Sequence, residues 1–367
     1  ADMRGLDYDD PKWDEYIEQF SEDKLIEMYA NGNWQEVADT DNGVPRTVDL
    51  DGPAGLTAQA LGTDECQVYQ NNILIGATWN NDMASLMGTA IANEMMAYGW
   101  TGWYGPAANI HRSAFCGRNC EYYSEDPVLS GYMSAAEVGS CAEGGVICFI
   151  KHYAVNSQEV NRQGNICTWV NEQALREVYL RVWEIYVENC TMTVNYYAPD
   201  ENGDLVMTSK EMPAANGIMT SYNLIGATWA AANEATTYNI LRNEWGFTGT
   251  SLTDAINNAT EYMDPTAALY SGATDLCLSQ VQLGDTDNDL ALKNLQKAAK
   301  NVLYNKANSN CLQINALVPG TTITYGRAPW QTGLMIGWVV VAAIWVLCIG
   351  VMVNVYRINR KGQVKAA

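Results

Sequence analysis

This 367-residue chain is short of several residue types, and each shortage closes a route. It has two histidines and ten cysteines, with no CxxC pair, so no zinc-ligand spacing can be assembled and no cofactor is expected. Basic residues number 21 against 42 acidic ones. The formal net charge of −21 repels nucleic acid and anionic substrates over most of the surface and suits a neutral ligand. Phenylalanine is scarce at 4, whereas Tyr (21) and Trp (12) have rings with an apolar face and a polar edge, the kind that stack on sugars; an ordinary aromatic core accounts for most of them. Nine cysteines lie outside the apolar C-terminal run, so at least one stays unpaired and the redox compartment is left open. The first residues, ADMRGLDYDDPKW, hold neither an initiator Met nor an apolar signal run, which reads as a processed or partial product.

Apolar residues are plentiful at 48%, against 17% charged, enough for a sizeable core. Residues 333–353, GLMIGWVVVAAIWVLCIGVMV, run for 21 positions without a charge. At about 1.5 Å per residue such a helix crosses a hydrocarbon layer roughly 30 Å thick. Trp330 and Trp338 stand toward one end and Tyr356 at the other, followed by Arg357, Arg360, Lys361 and Lys365. A single transmembrane helix in a cell membrane is expected, with a cytoplasmic basic tail and residues 1 to about 330 outside.

Ahead of it, short apolar runs alternate with amphipathic ones. Strands are predicted at 47–51, 73–77, 102–106, 146–151, 191–195, 217–221, 250–254 and 273–278. Helical periodicity covers 12–30, 81–98, 129–143, 172–189, 229–243 and 288–304. Eight βα units predict an α/β fold, a (β/α)8 TIM-like barrel followed by the membrane helix, and no Gly-rich phosphate loop follows the first strand. The expected division is a barrel domain over 1–305, a linker at 306–332, the membrane helix at 333–356 and a tail at 357–367. Residues 195–216 read as a long polar loop with turn residues in PDENGD.

In a barrel, chemistry sits at the C-terminal ends of the strands. Asp51 ends the first predicted strand, Arg118 follows the third, Lys151 and His152 end the fourth, Tyr222 the sixth and Asp254 the seventh. The stretch ICFIKHYAVNSQEVNRQG at 147–164 concentrates scarce His and basic residues, including Arg162, behind a buried strand. A carboxylate among hydroxyl-binding cations is the mixture that retaining glycoside hydrolysis uses.

Several motifs in order resemble the family 3 glycoside hydrolases, in their β-glucosidase branch. They are DGPAGL at 51–56, ATWN at 77–80, GPAANIHR at 105–112, GRNCEYYSEDPVLSG at 117–131, KHYAVNSQEVNR at 151–162, LREVYL at 175–180, MTSYN at 219–223 and LRNEWGFTGTSLTDA at 241–255. The resemblance implies an exo-acting, retaining β-glycosidase with Asp254 as nucleophile. It implies that Asp51, Arg118, Lys151, His152, Arg162 and Tyr222 line the pocket for the terminal sugar, with Met219 at its edge. The Lys151–His152 pair is then a sugar-hydroxyl clamp; a structural salt bridge to a neighbouring acid is the alternative. Ala255 stands where the family usually has Trp, which opens the pocket wall. The family's acid/base Glu lies on an α/β-sandwich domain that this chain does not show, so a second polypeptide or a removed upstream segment is expected to supply it. The rival reading is a catalytically inactive surface protein that binds carbohydrate or assembles with partners. Homo-oligomerisation stays open.

Overall fold

The computed structural model describes residues 2–57, 66–256, 261–312 and 329–365. The chain divides into two compact units, Ala1–Leu317 and Val318–Ala367.

The larger unit is an α/β domain. Among the described residues its strands are β1 (Asp49–Asp51), β2 (Gly102–Tyr104), β3 (Ile147–Tyr153), β4 (Cys167–Thr168), β5 (Thr191–Pro199), β6 (Leu205–Pro213), β7 (Gly217–Thr220), β8 (Leu224–Ile225), β9 (Thr228–Trp229) and β10 (Thr250–Leu252). Five form one parallel sheet in the order β1-β2-β3-β7-β10. The helices are α1 (Lys12–Ile17), α2 (Glu22–Ala30), α3 (Asn72–Ala77), α4 (Asn81–Tyr98), α5 (Pro127–Glu143), α6 (Glu172–Ala174), α7 (Arg181–Asn189), α8 (Pro265–Tyr270) and α9 (Asp289–Asn308), with π-helical turns at Leu175–Tyr179 and Ala235–Glu244.

Strand side chains alternate between two faces, and both faces are buried. Leu50, Trp103, Cys148, Ile150 and Ile218 enter the large core shared with the helices. Tyr104, Ile147, Phe149, Met219 and Leu252 form a second apolar layer with Leu276 and Leu278. That layer is the floor under the C-terminal ends of the strands.

One predicted strand is overturned, and a second pairs outside the parallel sheet. Residues 73–77 form α3 instead, with Ile75 and Gly76 inward and Ile73 and Leu74 half exposed. A β-carbon at Gly76 would lie 2.2 Å from the carbonyl oxygen of Tyr123, so glycine lets α3 lie directly on that backbone. Residues 191–195 are extended, yet β5 pairs antiparallel with β6 from Thr191↔Pro213 to Pro199↔Leu205 and stays outside the parallel sheet. The expected polar loop at 195–216 is therefore the rest of a hairpin. Its turn is held by Asp200, whose Oδ1 accepts the backbone N–H groups of Asn202 and Asp204 at 2.8 and 2.9 Å. The eighth predicted strand, 273–278, joins the sheet through one parallel bridge, Leu252↔Leu276. The continuous ladder thus runs over five strands among the described residues; past that bridge, single backbone hydrogen bonds lead on, from the Cys277 N–H to the Tyr29 carbonyl at 2.8 Å and from the Asp49 N–H of β1 to the Trp34 carbonyl at 3.1 Å.

The predicted helix at 12–30 is two helices, the second capped by Ser21 Oγ on the Lys24 N–H. Of the predicted linker, residues to Leu312 continue α9 and a 3₁₀ turn, and 313–328 lie outside the described residues. The described residues of the second unit form helix α10 (Pro329–Lys365), whose stretch Trp330–Lys361 is long and apolar enough to cross a membrane.

Candidate functional site

Every predicted polar site residue comes from the C-terminal end of a sheet strand or the segment just beyond it. β1 ends on Asp51, and the chain turns at Gly52, where φ is +124° and a β-carbon would lie 1.9 Å from the Gly55 carbonyl oxygen. The Gly52 N–H donates back to Asp51 Oδ1 at 2.7 Å. Lys151 Nζ crosses from β3 to the same oxygen. Burial pushes the Asp51 carboxyl up, but the Lys151 ammonium and the Gly52 N–H outweigh it and hold the group below the usual aspartate range. The carboxylate is ionised and its side chain is 43% exposed, so it can accept hydrogen bonds from a ligand.

Lys151 and His152 are sequence neighbours that both serve the site because the register of β3 against β7 shifts between Lys151 and Tyr153. Asn109 fixes His152 through its backbone, accepting the His152 N–H at 2.7 Å and donating to the His152 carbonyl at 2.9 Å. The imidazole Nε2 lies 3.5 Å from Asp254 Oδ2. Burial, with the Arg118, Lys151 and Arg162 charges, drives the imidazole far below its usual range, so His152 is neutral.

Asp254 follows β10, its backbone N–H bonded to the Thr220 carbonyl at 3.2 Å and its Oδ1 accepting the Ala255 N–H at 2.8 Å. Its side chain is 13% exposed. Burial raises the Asp254 carboxyl above the ordinary range, opposed by the Ala255 N–H and the Lys151, Arg162 and Arg118 charges. Tyr222, just past β7, sits against Asp254; burial and then that carboxylate push its phenol up. The Arg162 guanidinium stacks over the Tyr222 ring at 4.9 Å.

Two acids absent from the predicted set organise the arginines. Glu121 takes Arg118 Nη2 at 2.8 Å and Nε at 3.0 Å. Glu159 Oε2 stands 3.1 Å from Arg162 Nη1 and 3.9 Å from Arg118 Nη1, joining the two loops, while its buried Oε1 has no hydrogen-bond partner among the described residues. The i,i+3 spacings of Arg118 with Glu121 and Glu159 with Arg162 were the available signals. Arg118, Arg162, Tyr222, Asp254 and His152 thus form one set of contacts, and the Asp51–Lys151 pair reaches it through the charges of Arg118 and Lys151. The Met219 side chain makes no polar contact with them; Met219 is 2% exposed and packs in the second apolar layer. Among the described residues no group of His, Cys, Asp and Glu is arranged to hold a metal ion.

The arrangement sets one shielded carboxylate beside a neutral imidazole, under the charges of Lys151, Arg162 and Arg118, just past the ends of a parallel sheet. Residues 16–308 match the family described as Glycosyl hydrolase family 3 N terminal domain, and the chain belongs to that family. It is 30% identical over 308 residues to beta-glucosidase B of Emericella nidulans, covering 81% of this chain and 33% of that protein. Against a beta-glucosidase of Ruminococcus albus it is 36% identical over 212 residues, 58% of this chain and 20% of that one. The structure of beta-glucosidase 3B from Thermotoga neapolitana in complex with glucose superposes with a TM-score of 0.65 at 27% identity, covering 82% of this chain and 43% of the other. The chain spans about a fifth to a third of the length of these curated relatives.

Proposed function

We propose that this chain forms the sugar-binding and nucleophile-bearing part of a membrane-anchored, exo-acting, retaining β-glycosidase that removes terminal nonreducing sugars from oligosaccharides or glycosides, with glucosides the first class to test. The observation that carries the proposal is Asp254 beside neutral His152, its carboxyl under the charges of Lys151, which pairs with Asp51, and of Arg162.

Asp51 accepts and Lys151 donates hydrogen bonds to hydroxyls of the terminal ring, with Arg118 and Arg162 beside them. His152, being neutral, adds no charge at the nucleophile. The Asp254 carboxylate attacks the anomeric carbon as the glycosidic C–O bond breaks, and the leaving oxygen takes a proton from a carboxylic acid. Water then attacks the glycosyl ester, gives its proton to the same acid's carboxylate and frees Asp254. Among the described site carboxyls, Asp51, Glu121 and Glu159 are each paired with Lys or Arg. The proton donor is accordingly assigned to a Glu outside the described residues, on a second polypeptide or another part of the protein. The apolar stretch of α10 is proposed to cross the cell membrane once, with Arg357, Arg360 and Lys361 on the cytoplasmic side and the α/β domain outside.

A 2-fluoro glycoside with a dinitrophenolate leaving group needs no acid, so it tests the nucleophile in this chain alone. Expected is one covalent sugar on Asp254 by peptide mass spectrometry, with a rate that falls as pH drops through the raised Asp254 pKa. Absence of labelling across gluco, xylo and galacto probes overturns the proposal and favours the rival reading of a non-catalytic binding protein.

A further inference from the structure

Away from the strand ends, the outer wall of the α/β domain carries a trough of two lobes. One has a volume of about 790 Å³ and lies between α1, the π-helix Ala235–Glu244 and α9; the other, about 650 Å³, continues past α8. The lobes meet at Glu234, Tyr270 and Ser271, which line both.

The walls are built before any ligand arrives. Tyr270 is pinned at the junction, its hydroxyl donating to the Asp285 carbonyl at 2.9 Å and accepting from Asn288 Nδ2 at 2.7 Å. Lys297 donates to the Gly272 carbonyl at 3.1 Å and lies 4.2 Å above the Tyr238 ring. Lys300 pairs with Asp14 at 2.9 Å and covers Tyr8 at 5.1 Å. Between these fixed groups, Glu18, Glu234, Lys293 and Gln296 have no side-chain partner among the described residues. The trough therefore offers both donors and acceptors along an extended line, with tyrosines held at fixed angles beside them. Acids outnumber lysines five to three across the two lobes, which disfavours a phosphate or nucleic acid. The matching chemistry is neutral, polyhydroxylated and longer than one ring.

We infer that this trough is a second carbohydrate site, holding an oligosaccharide chain of several units on the outer wall while the strand-end site takes a single terminal ring. The inference rests on the carbohydrate reading of the protein but not on its catalytic competence.

The test uses the full chain carrying Asp254→Asn, so that no probe is consumed, and titrates cellotetraose, laminaritetraose and xylotetraose by calorimetry and tyrosine fluorescence. Expected is a tetraose-binding event that survives saturation of the strand-end site with the matching monosaccharide. It weakens at least about tenfold in a Tyr238→Ala, Tyr270→Ala double variant, as loss of aromatic contacts predicts. Glu18→Gln with Glu234→Gln, which leaves the packing untouched, should weaken it too. A single event competed by monosaccharide, no tetraose binding, or binding unchanged in both pairs overturns the inference. Failure of the Asp254 labelling experiment leaves this outcome independent, because binding here needs no nucleophile.

Discussion

Asp49 and Asp51 stand two residues apart on the same face of β1, each near a lysine from another element, and they behave in opposite ways. At the strand's end the Asp51 side chain is 43% exposed, receives Lys151 and the Gly52 N–H, and is held charged. At the strand's start Asp49 is 1% exposed, with Oδ1 unpartnered and Oδ2 3.5 Å from the Tyr104 hydroxyl. Burial lifts its carboxyl to about 6 despite help from Thr47 and Lys306. Its neighbour Glu36 is pushed to about 8 by burial, its two carboxylate oxygens unpartnered although Lys306 Nζ lies 3.9 Å away. Lys306 spends its hydrogen bonds on the carbonyls of Glu36 and Val37 instead. One sheet therefore has an open end where charges are pinned by donors and available to a ligand, and a blind end where charge is held at a cost. The difference lies in what reaches the carboxylate, water and aimed N–H groups or packed backbone, rather than in the residue type.

The sharpest way to break this contrast is at the open end. Asp254→Asn should reduce turnover of p-nitrophenyl glycosides by the complete assembly at least about 10⁴-fold, as loss of a covalent nucleophile does, with Tm held or slightly raised because a shielded charge is gone. Steady-state kinetics beside a thermal melt checks both halves.

At the blind end the large effect should fall on stability. Lys306→Met removes the cation from a buried cluster and should cost about 3–5 kcal/mol at pH 8, with the deficit shrinking toward pH 5 as Asp49 and Glu36 take up protons. Denaturant unfolding at the two pH values measures it; an equal deficit at both would mean that the loss is packing alone.

Smaller still, Glu159→Gln should weaken the link between Arg118 and Arg162 and lower kcat/KM at least about tenfold, the scale of a charge-assisted hydrogen bond at about 1.5–3 kcal/mol. The labelling rate at Asp254 should fall in parallel, which a purely structural role would not require.

The smallest expected change is in the pH profile of Glu36→Gln. In the native protein the Glu36 pKa is about 8, raised above the unfolded carboxyl, so the folded state binds more protons between these values. Its stabilising contribution is full below the unfolded pKa and is lost as pH rises through about 8. Replacing the acid with an amide should flatten that part of the Tm decline, and a slope identical to wild type would show that Glu36 is not the titrating group.

How far the site could be read in advance follows from the same geometry. Asp51, Lys151 and Asp254 sit at the ends of apolar runs, and a parallel strand end is a place that local sequence marks well. Glu159 and Glu121 were visible only as charges near arginines, because their roles depend on two loops converging. Met219 stood one step before the polar residues in MTSYN, yet alternation turns it into the floor. The run at 73–77 reads as a strand because five apolar or small residues have no clear period; packing against Tyr123 chose a helix. TMTVN at 191–195 is extended as expected, but its partner, β6, was hidden in a segment that reads as polar loop.

Local chemistry alone determined where strands end in charged residues, where glycine permits a turn, and where 21 uncharged residues make a helix long enough to cross a bilayer. Only the tertiary structure decided which carboxylates stay ionised, which strands share a sheet, and which arginines meet. The reason is physical: a carboxyl's charge and a strand's partner depend on groups brought together from a hundred or more positions away, and neighbours along the chain carry no record of that approach.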